Sequence, residues 1–255
     1  MKMKKVIGII VGLIILFGAS MVGGKLFADK TIQNNNTSKQ VTSNVSTVQQ
    51  QKVENDNTID GFDLGVLTKE DFHRAMSLAS KYKGKNLMIK GINEVVNSDE
   101  IFQQTYGNAF CIQTPYVVAI DYSKQVAEQY LEVNDKNVID KIKNDSGNFN
   151  KFICTTIVGG TDMDFLKSLH MVLRVYGKNE TKELQPVRTF ENNEAKLADT
   201  SKFFPDNPSF TGGYVGYFEA KDVMNLDPQK LEIIVIYSDG KEVKQSFDYN
   251  QLNQL

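Results

Sequence analysis

The sequence predicts a mainly β protein with two or three short helices, exported and held at a membrane by an apolar N-terminal segment. Three observations carry this reading. The opening stretch "MKMKKVIGIIVGLIILFGASMVGGKLF" sets lysines at 2, 4 and 5 ahead of an uncharged run from Val6 to Gly24. Residues 28–61 are rich in Asn, Gln, Ser and Thr and hold no aromatic side chain. Beyond them, short β-branched and aromatic runs recur between Gly, Pro, Asn and Asp residues, the pattern of strands and turns. The expected organisation is a transmembrane signal-anchor over 1–27, a disordered linker over 28–61, a small barrel over 62–163 and an antiparallel sandwich over 164–255.

The run from Val6 to Gly24 approaches the roughly 20 apolar residues a helix needs to cross a bilayer. Three lysines before it and Lys25 close behind favour a cytoplasmic N-terminus, with the rest of the chain outside. The competing reading is a signal peptide cleaved near Ser20, releasing a secreted protein. No cysteine lies near this segment, so a lipid-modified N-terminal cysteine is not available. The scattered Val and Ile of 28–61 bury too little surface to offset the entropy of ordering. As a flexible coil that spacer holds the next domain roughly 30 Å from the bilayer.

In the whole chain of 255 residues the formal net charge is −2, so no basic excess advertises a polyanionic partner. Two cysteines and two histidines exclude a disulfide-rich scaffold and leave the four ligands of a structural zinc site improbable to assemble.

"LTKEDFHRAMSLASKYKG" reads as a helix. Thr68 is its N-cap, Glu70 and Asp71 occupy the first turn, and Leu67 is placed to staple onto Phe72. Gly84 suits its C-terminal stop. "NLMIKGINEVV" then reads as one long strand, bent at Gly91 as a barrel strand bends. Two shorter strands are expected at "AFCIQT" (109–114) and "YVVAIDY" (116–122). "KNVIDKIKN" reads as a helix capped by Asn134 or Asp135 and closed by Gly147, and "KFICTTIVGG" (151–160) as a further strand.

This order is that of the OB-fold, a small five-stranded barrel. The stretch "LASKYKGKNLMIKGINEVV", with the later "CIQT" and "FICTTIVGG", resembles the extracytoplasmic OB-fold family named for its likeness to tRNA anticodon-binding domains. In that family a helix and a "KYKGK"-type turn lead into a Gly-containing first strand. The likeness covers roughly residues 66–160 and departs at the long polar connection over 123–150. It implies an extracytoplasmic barrel and carries no established chemistry.

In the second unit, "SLHMVLRVYG" (168–177) alternates with Leu169, Met171, Leu173 and Val175 on one face. "ELQPVRTF" and "GYVGYFEA" are weaker strands. In "KLEIIVIYSDGKEVKQSFDY", Asp239-Gly240 predicts a two-residue hairpin turn with Ile236 facing Val243. "IIVIY" is apolar on both faces and is expected to be central. The sum is a small antiparallel sandwich of Ig-like architecture.

Few residues invite chemistry. "DNTIDGF" begins like a calcium loop, but Leu67 stands where the bidentate Glu belongs, so a polar linker is the better reading. Asp162 and Asp164 lie two apart on a turn with no third ligand in sequence. His73 and His170 lack the nucleophile and orienting acid of a triad. Cys111 and Cys154 lie in apolar strands, and either a disulfide or two buried thiols fits them. The lysines at 81, 83, 85 and 90 and the aromatic run "FFPDNPSFTGGYVGYFEA" are the binding features, giving Lys85, Lys90, Tyr116, Tyr122, Tyr214 and Tyr217 as candidate ligand-contacting residues. Glu94, Asp99 and Glu100 interrupt the lysines, so nucleic acid is not the expected partner. The expectation is a non-catalytic binding protein without cofactor, recognising a cell-envelope protein or polysaccharide. The rivals are a structural partner in an envelope complex and an envelope hydrolase. A flat apolar patch marks the first, and Asp162, Asp164 and His170 converging in a pocket mark the second.

Overall fold

The computed structural model describes residues 57–98, 108–160, 162, 164–191, 196–197 and 210–253. The chain from Asn57 onward is one compact unit, mainly β, and among the described residues every strand pair is antiparallel. Among the described residues no helix is long and apolar enough to cross a membrane. The expected signal-anchor and most of the expected linker lie outside the described residues.

The chain enters through a small hairpin of β1 (Thr58–Ile59) and β2 (Phe62–Asp63). Asp60 and Gly61 take φ of 49° and 73°, the two left-handed residues of a tight hairpin turn. The calcium-like "DNTIDGF" is therefore hairpin chemistry in its described part, and β1 lies ahead of the expected boundary at 62. Helix α1 (Lys69–Ser77) follows, with the Thr68 hydroxyl accepting from the Asp71 N–H at 3.0 Å as its cap. Looser turns carry the chain to Gly84.

The stretch expected to be one bent strand is a hairpin: β3 (Leu87–Lys90) turns at Gly91–Glu94 into β4 (Val95–Asn97). Asn93 takes φ of 59° and donates its N–H to the Lys90 carbonyl at 2.7 Å. The break at Gly91 reverses the chain instead of curling it. Strand β5 (Ala109–Gln113) matches its expectation, but "YVVAIDY" does not form a strand. It lies inside helix α2 (Pro115–Glu128). Thr114 caps the helix by accepting from the Val117 N–H, and Pro115 sits in the first turn, where its missing N–H costs nothing. The run is apolar on all sides because α2 is buried nearly all round, a pattern that periodicity alone does not separate from a central strand.

Helix α3 (Asp135–Asn144) is capped by Asn134 as expected. Its left-handed C-terminal residue is Ser146 (φ 55°), while Gly147 leaves the space that the Tyr122 phenol occupies. Strand β6 (Lys151–Gly160) and a short 3-10 turn (Phe165–Ser168) lead to β7 (His170–Gly177). "ELQPVRTF" splits at Gln185-Pro186 into β8 (Thr181–Leu184) and β9 (Arg188–Glu191). Then come β10 (Lys196–Leu197), β11 (Phe210–Glu219), a short helix α4 (Ala220–Met224), β12 (Pro228–Ile236) and β13 (Glu242–Asp248).

The larger sheet runs β4-β3-β5-β6-β11-β10, with β9 beside β10 along β11, and the smaller runs β8-β7-β12-β13. Strand β12 is thus central, as its two apolar faces predict. The strands of residues 66–160 lie in an open sheet, and no barrel closure is seen among the described strands. The boundary expected at 163/164 falls between partners: β6 and β11 pair over ten residues from Lys151↔Glu219 to Phe210↔Gly160. The turn between β12 and β13 also differs from expectation. Only Gly240 has positive φ (81°), and Tyr237 bonds Lys241, so Val235 faces Val243 and Ile236 faces Glu242.

The two sheets share one core. Phe152, Cys154, Val158 and Phe218 of the larger cluster with Met171, Leu173, Leu231, Ile233 and Phe247 of the smaller, and α1, α2 and α3 add Phe72, Ile120 and Ile142. Gly216 sits opposite the Met171 sulfur, where a Cβ has no room, so the sheets approach closely at β11. The Tyr237 hydroxyl donates to the Gly159 carbonyl at 3.0 Å across the gap.

Candidate functional site: the outer face of the large sheet

Directly paired residues of an antiparallel sheet share a face, so register decides which side chains meet. On β5, Phe110 and Ile112 turn to the shared core while Ala109, Cys111 and Gln113 turn outward. One outward row is Lys90–Cys111–Thr155–Val215–Phe190, and the next is Gln113–Ile153–Tyr217–Arg188. Ala109 and Cys111 form a second apolar cluster with Met88, Val96 and Ile157, all from the sheet itself. The floor is therefore small, mostly apolar and buried, and the exposed part of the face lies at its β9 edge. At the β9 edge Phe190 is 40% exposed and Val187, just ahead of it, 56%. Arg188 stands over Tyr217, its guanidinium carbon 5.8 Å from the ring centre. Lys90 marks the opposite side, and Lys151 pairs with Glu219 at one end of the rows.

Burial raises the Tyr217 phenol, and Arg188 offsets part of that rise. Cys111 is pushed up to about 12 by burial, with Lys90 pulling the other way, so it is an unreactive thiol.

Of the six candidate contact residues, Lys90 and Tyr217 share this face. Lys85 is exposed in the turn before β3. Tyr116, Tyr122 and Tyr214 are buried. Tyr116 accepts a hydrogen bond from Arg74 Nε at 2.9 Å, and Tyr122 is raised to about 12 by burial, then by Asp145 and Asp121. The Tyr116 hydroxyl thereby links helices α1 and α2, and the Tyr122 phenol packs against Gly147. The disulfide is not formed. Cys111 is paired with Thr155 while Cys154 is paired with Ile112, so the one-residue offset puts the sulfurs on opposite faces.

Sequence reasoning missed Val187, Arg188 and Phe190. The alternation Arg188-Thr189-Phe190 after Pro186 was the available signal, since it reads as an edge strand with one large apolar residue outward.

Two other polar features are built into the packing. Glu232 accepts from Arg174 (2.9 Å), Tyr176 (3.1 Å) and Ser246 (3.0 Å) on the outer face of the smaller sheet. Under the 84–87 turn, Asp121 and Lys124 are buried, Lys124 Nζ lies 3.6 Å from Asp121 and 3.7 Å from Glu128, and Glu128 accepts the Gly84 N–H at 2.6 Å. This cluster ties α2 to the turn. A depression of about 250 Å³ lined by Gln229, Lys230, Ser246, Phe247, Asp248 and Asn250 is open and shallow, smaller than small-molecule sites of about 300–1,000 Å³.

Asp164 accepts from Lys167 and binds its own N–H to Asp162, and both carboxylates are exposed, as is His170. Among the described residues no group of three His, Cys, Asp or Glu is arranged to hold a metal. No protein-family model matches the chain, and neither the curated proteins nor the solved structures yield a match.

Proposed function

We propose that this chain is a membrane-tethered, extracytoplasmic, non-catalytic assembly module that docks a cell-envelope protein on the outer face of its large sheet. One observation carries the reading: Val187 and Phe190 are exposed together at the β9 edge of this face, with Arg188 and half-buried Tyr217 beside them, in front of a floor whose residues Cys111, Thr155 and Val215 are buried. Aromatic residues, Met and Arg are the side chains enriched where proteins meet, and a contiguous apolar patch with a polar rim is the usual mark of such a surface. The apolar run from Val6 to Gly24 supports the tether, with the N-terminus cytoplasmic.

A polysaccharide is the second reading, favoured by the two part-exposed rings flanked by the cations Lys90 and Arg188. A photoreactive residue placed at Phe190, at Tyr217 and, as a control, at Lys244 on the smaller sheet separates the two. The proposal expects discrete protein adducts in cell membranes from the first two positions and none from the third. Equal labelling at all three positions, or amide shifts of this face with peptidoglycan fragments alone, overturns it.

A further inference from the structure

Helix α2 ends in a Schellman motif: the Leu131 N–H donates to the Val126 carbonyl at 3.2 Å and the Tyr130 N–H to the Ala127 carbonyl at 3.2 Å. The motif requires a left-handed residue at Tyr130, whose φ is 58°. Glycine is the usual occupant, because any Cβ is strained there. Here the position holds a tyrosine that is 89% exposed, followed by a leucine that is 50% exposed. The fold therefore bears strain to present an aromatic and an aliphatic side chain to solvent, a combination that points to a contact.

The surroundings indicate what is contacted. The Lys83 ammonium lies 4.5 Å from the Tyr130 ring centre, and Lys81, Lys83 and Lys85 are exposed on the adjoining turn. Of the neighbouring acids, Glu128 is paired with Lys124 and the Gly84 N–H, while Glu132 accepts the neutral Asn134 amide at 3.1 Å and keeps its charge. A tyrosine-leucine tip with Lys83 over its ring and two more exposed lysines on the adjoining turn matches the headgroup layer of an anionic bilayer, where Tyr sits at the interface and Lys meets phosphate.

We infer that the Tyr130–Leu131 tip, with Lys81, Lys83 and Lys85, rests on the anionic lipid surface of the membrane to which the chain is tethered. The inference rests on the tethering reading. Three lysines, less the charge of Glu132, favour the docked state by about 30-fold over a neutral surface.

The test is amide hydrogen exchange on the full chain in nanodiscs of phosphatidylcholine, with and without phosphatidylglycerol. Exchange over 128–133 is expected to slow at least severalfold in the anionic discs alone. The slowing is lost in Tyr130→Gly and in the Lys83→Ala/Lys85→Ala variant, while both variants melt no lower than the parent chain. Unchanged exchange over 128–133 overturns the inference, and so does equal slowing in both lipids. Protection of residues 6–24 in the same samples reports the tether separately, so failure of the tip and failure of the anchor are distinguishable.

Discussion

Asp121 is a buried carboxylate that the fold tolerates at a cost. Burial raises it from 3.8 to about 6, against the pull of Lys124 and the Leu87 N–H, and Oδ1 has no hydrogen-bond partner. Below about pH 3 the group is protonated in both the folded and unfolded chain and costs nothing. Between about pH 4 and 6 the unfolded chain releases the proton while the folded one retains it, so stability falls as pH rises. The interval from 3.8 to about 6, at about 1.4 kcal/mol per pH unit, amounts to about 3 kcal/mol lost by pH 7. Asp121→Asn keeps the shape and the acceptor for Leu87 and removes the titration, while Glu128 remains beside Lys124. Urea unfolding of residues 57–255 at intervals from pH 3 to 7 reads the effect. The stability of Asp121→Asn relative to the parent is expected to climb by about 3 kcal/mol across that range. Parallel pH profiles would refute the argument.

Other outcomes follow from the same geometry. Tyr130→Gly removes a Cβ from a left-handed position and is expected to raise stability by about 1 kcal/mol, measured by urea unfolding. Gly216→Val drives a side chain into the Met171 sulfur between the sheets and is expected to cost about 1–3 kcal/mol, read by thermal melting. Cys111 and Cys154 are expected to stay reduced under mild oxidant and to react with a thiol reagent only after denaturation, as mass spectrometry of the alkylated chain reports.

Much of the fold is legible in the sequence because its signals are local. The caps Thr68 and Asn134 name their helix starts, and the alternation from Leu169 to Val175 and the apolar run of β12 describe strands that the structure contains. Helix α2 was hidden because Tyr116–Tyr122 is β-branched, aromatic and short, and burial on every side erases the helical period. The signal that decides it is Thr114-Pro115, a cap and a first-turn proline. Pairing partners are not local: nothing between 151 and 219 says that β6 and β11 adjoin, so a boundary drawn at 163/164 divides one sheet. The site was half visible for the same reason. Tyr116, Tyr122, Tyr214 and Tyr217 look alike in sequence, and only packing and register set Tyr217 outward with Lys90 while the other three serve the core.

The central claim is that the outer face of the large sheet holds a protein partner, and the most direct test is the size of the assembly that contains the chain. Membranes carrying the full chain or its Val187→Ser/Phe190→Ser variant are solubilised in mild detergent and resolved by size. Both substitutions replace exposed apolar side chains, so the fold is expected to keep its stability. The parent is expected to migrate in a larger assembly and the variant as the free chain. Parent and variant migrating together would contradict the claim.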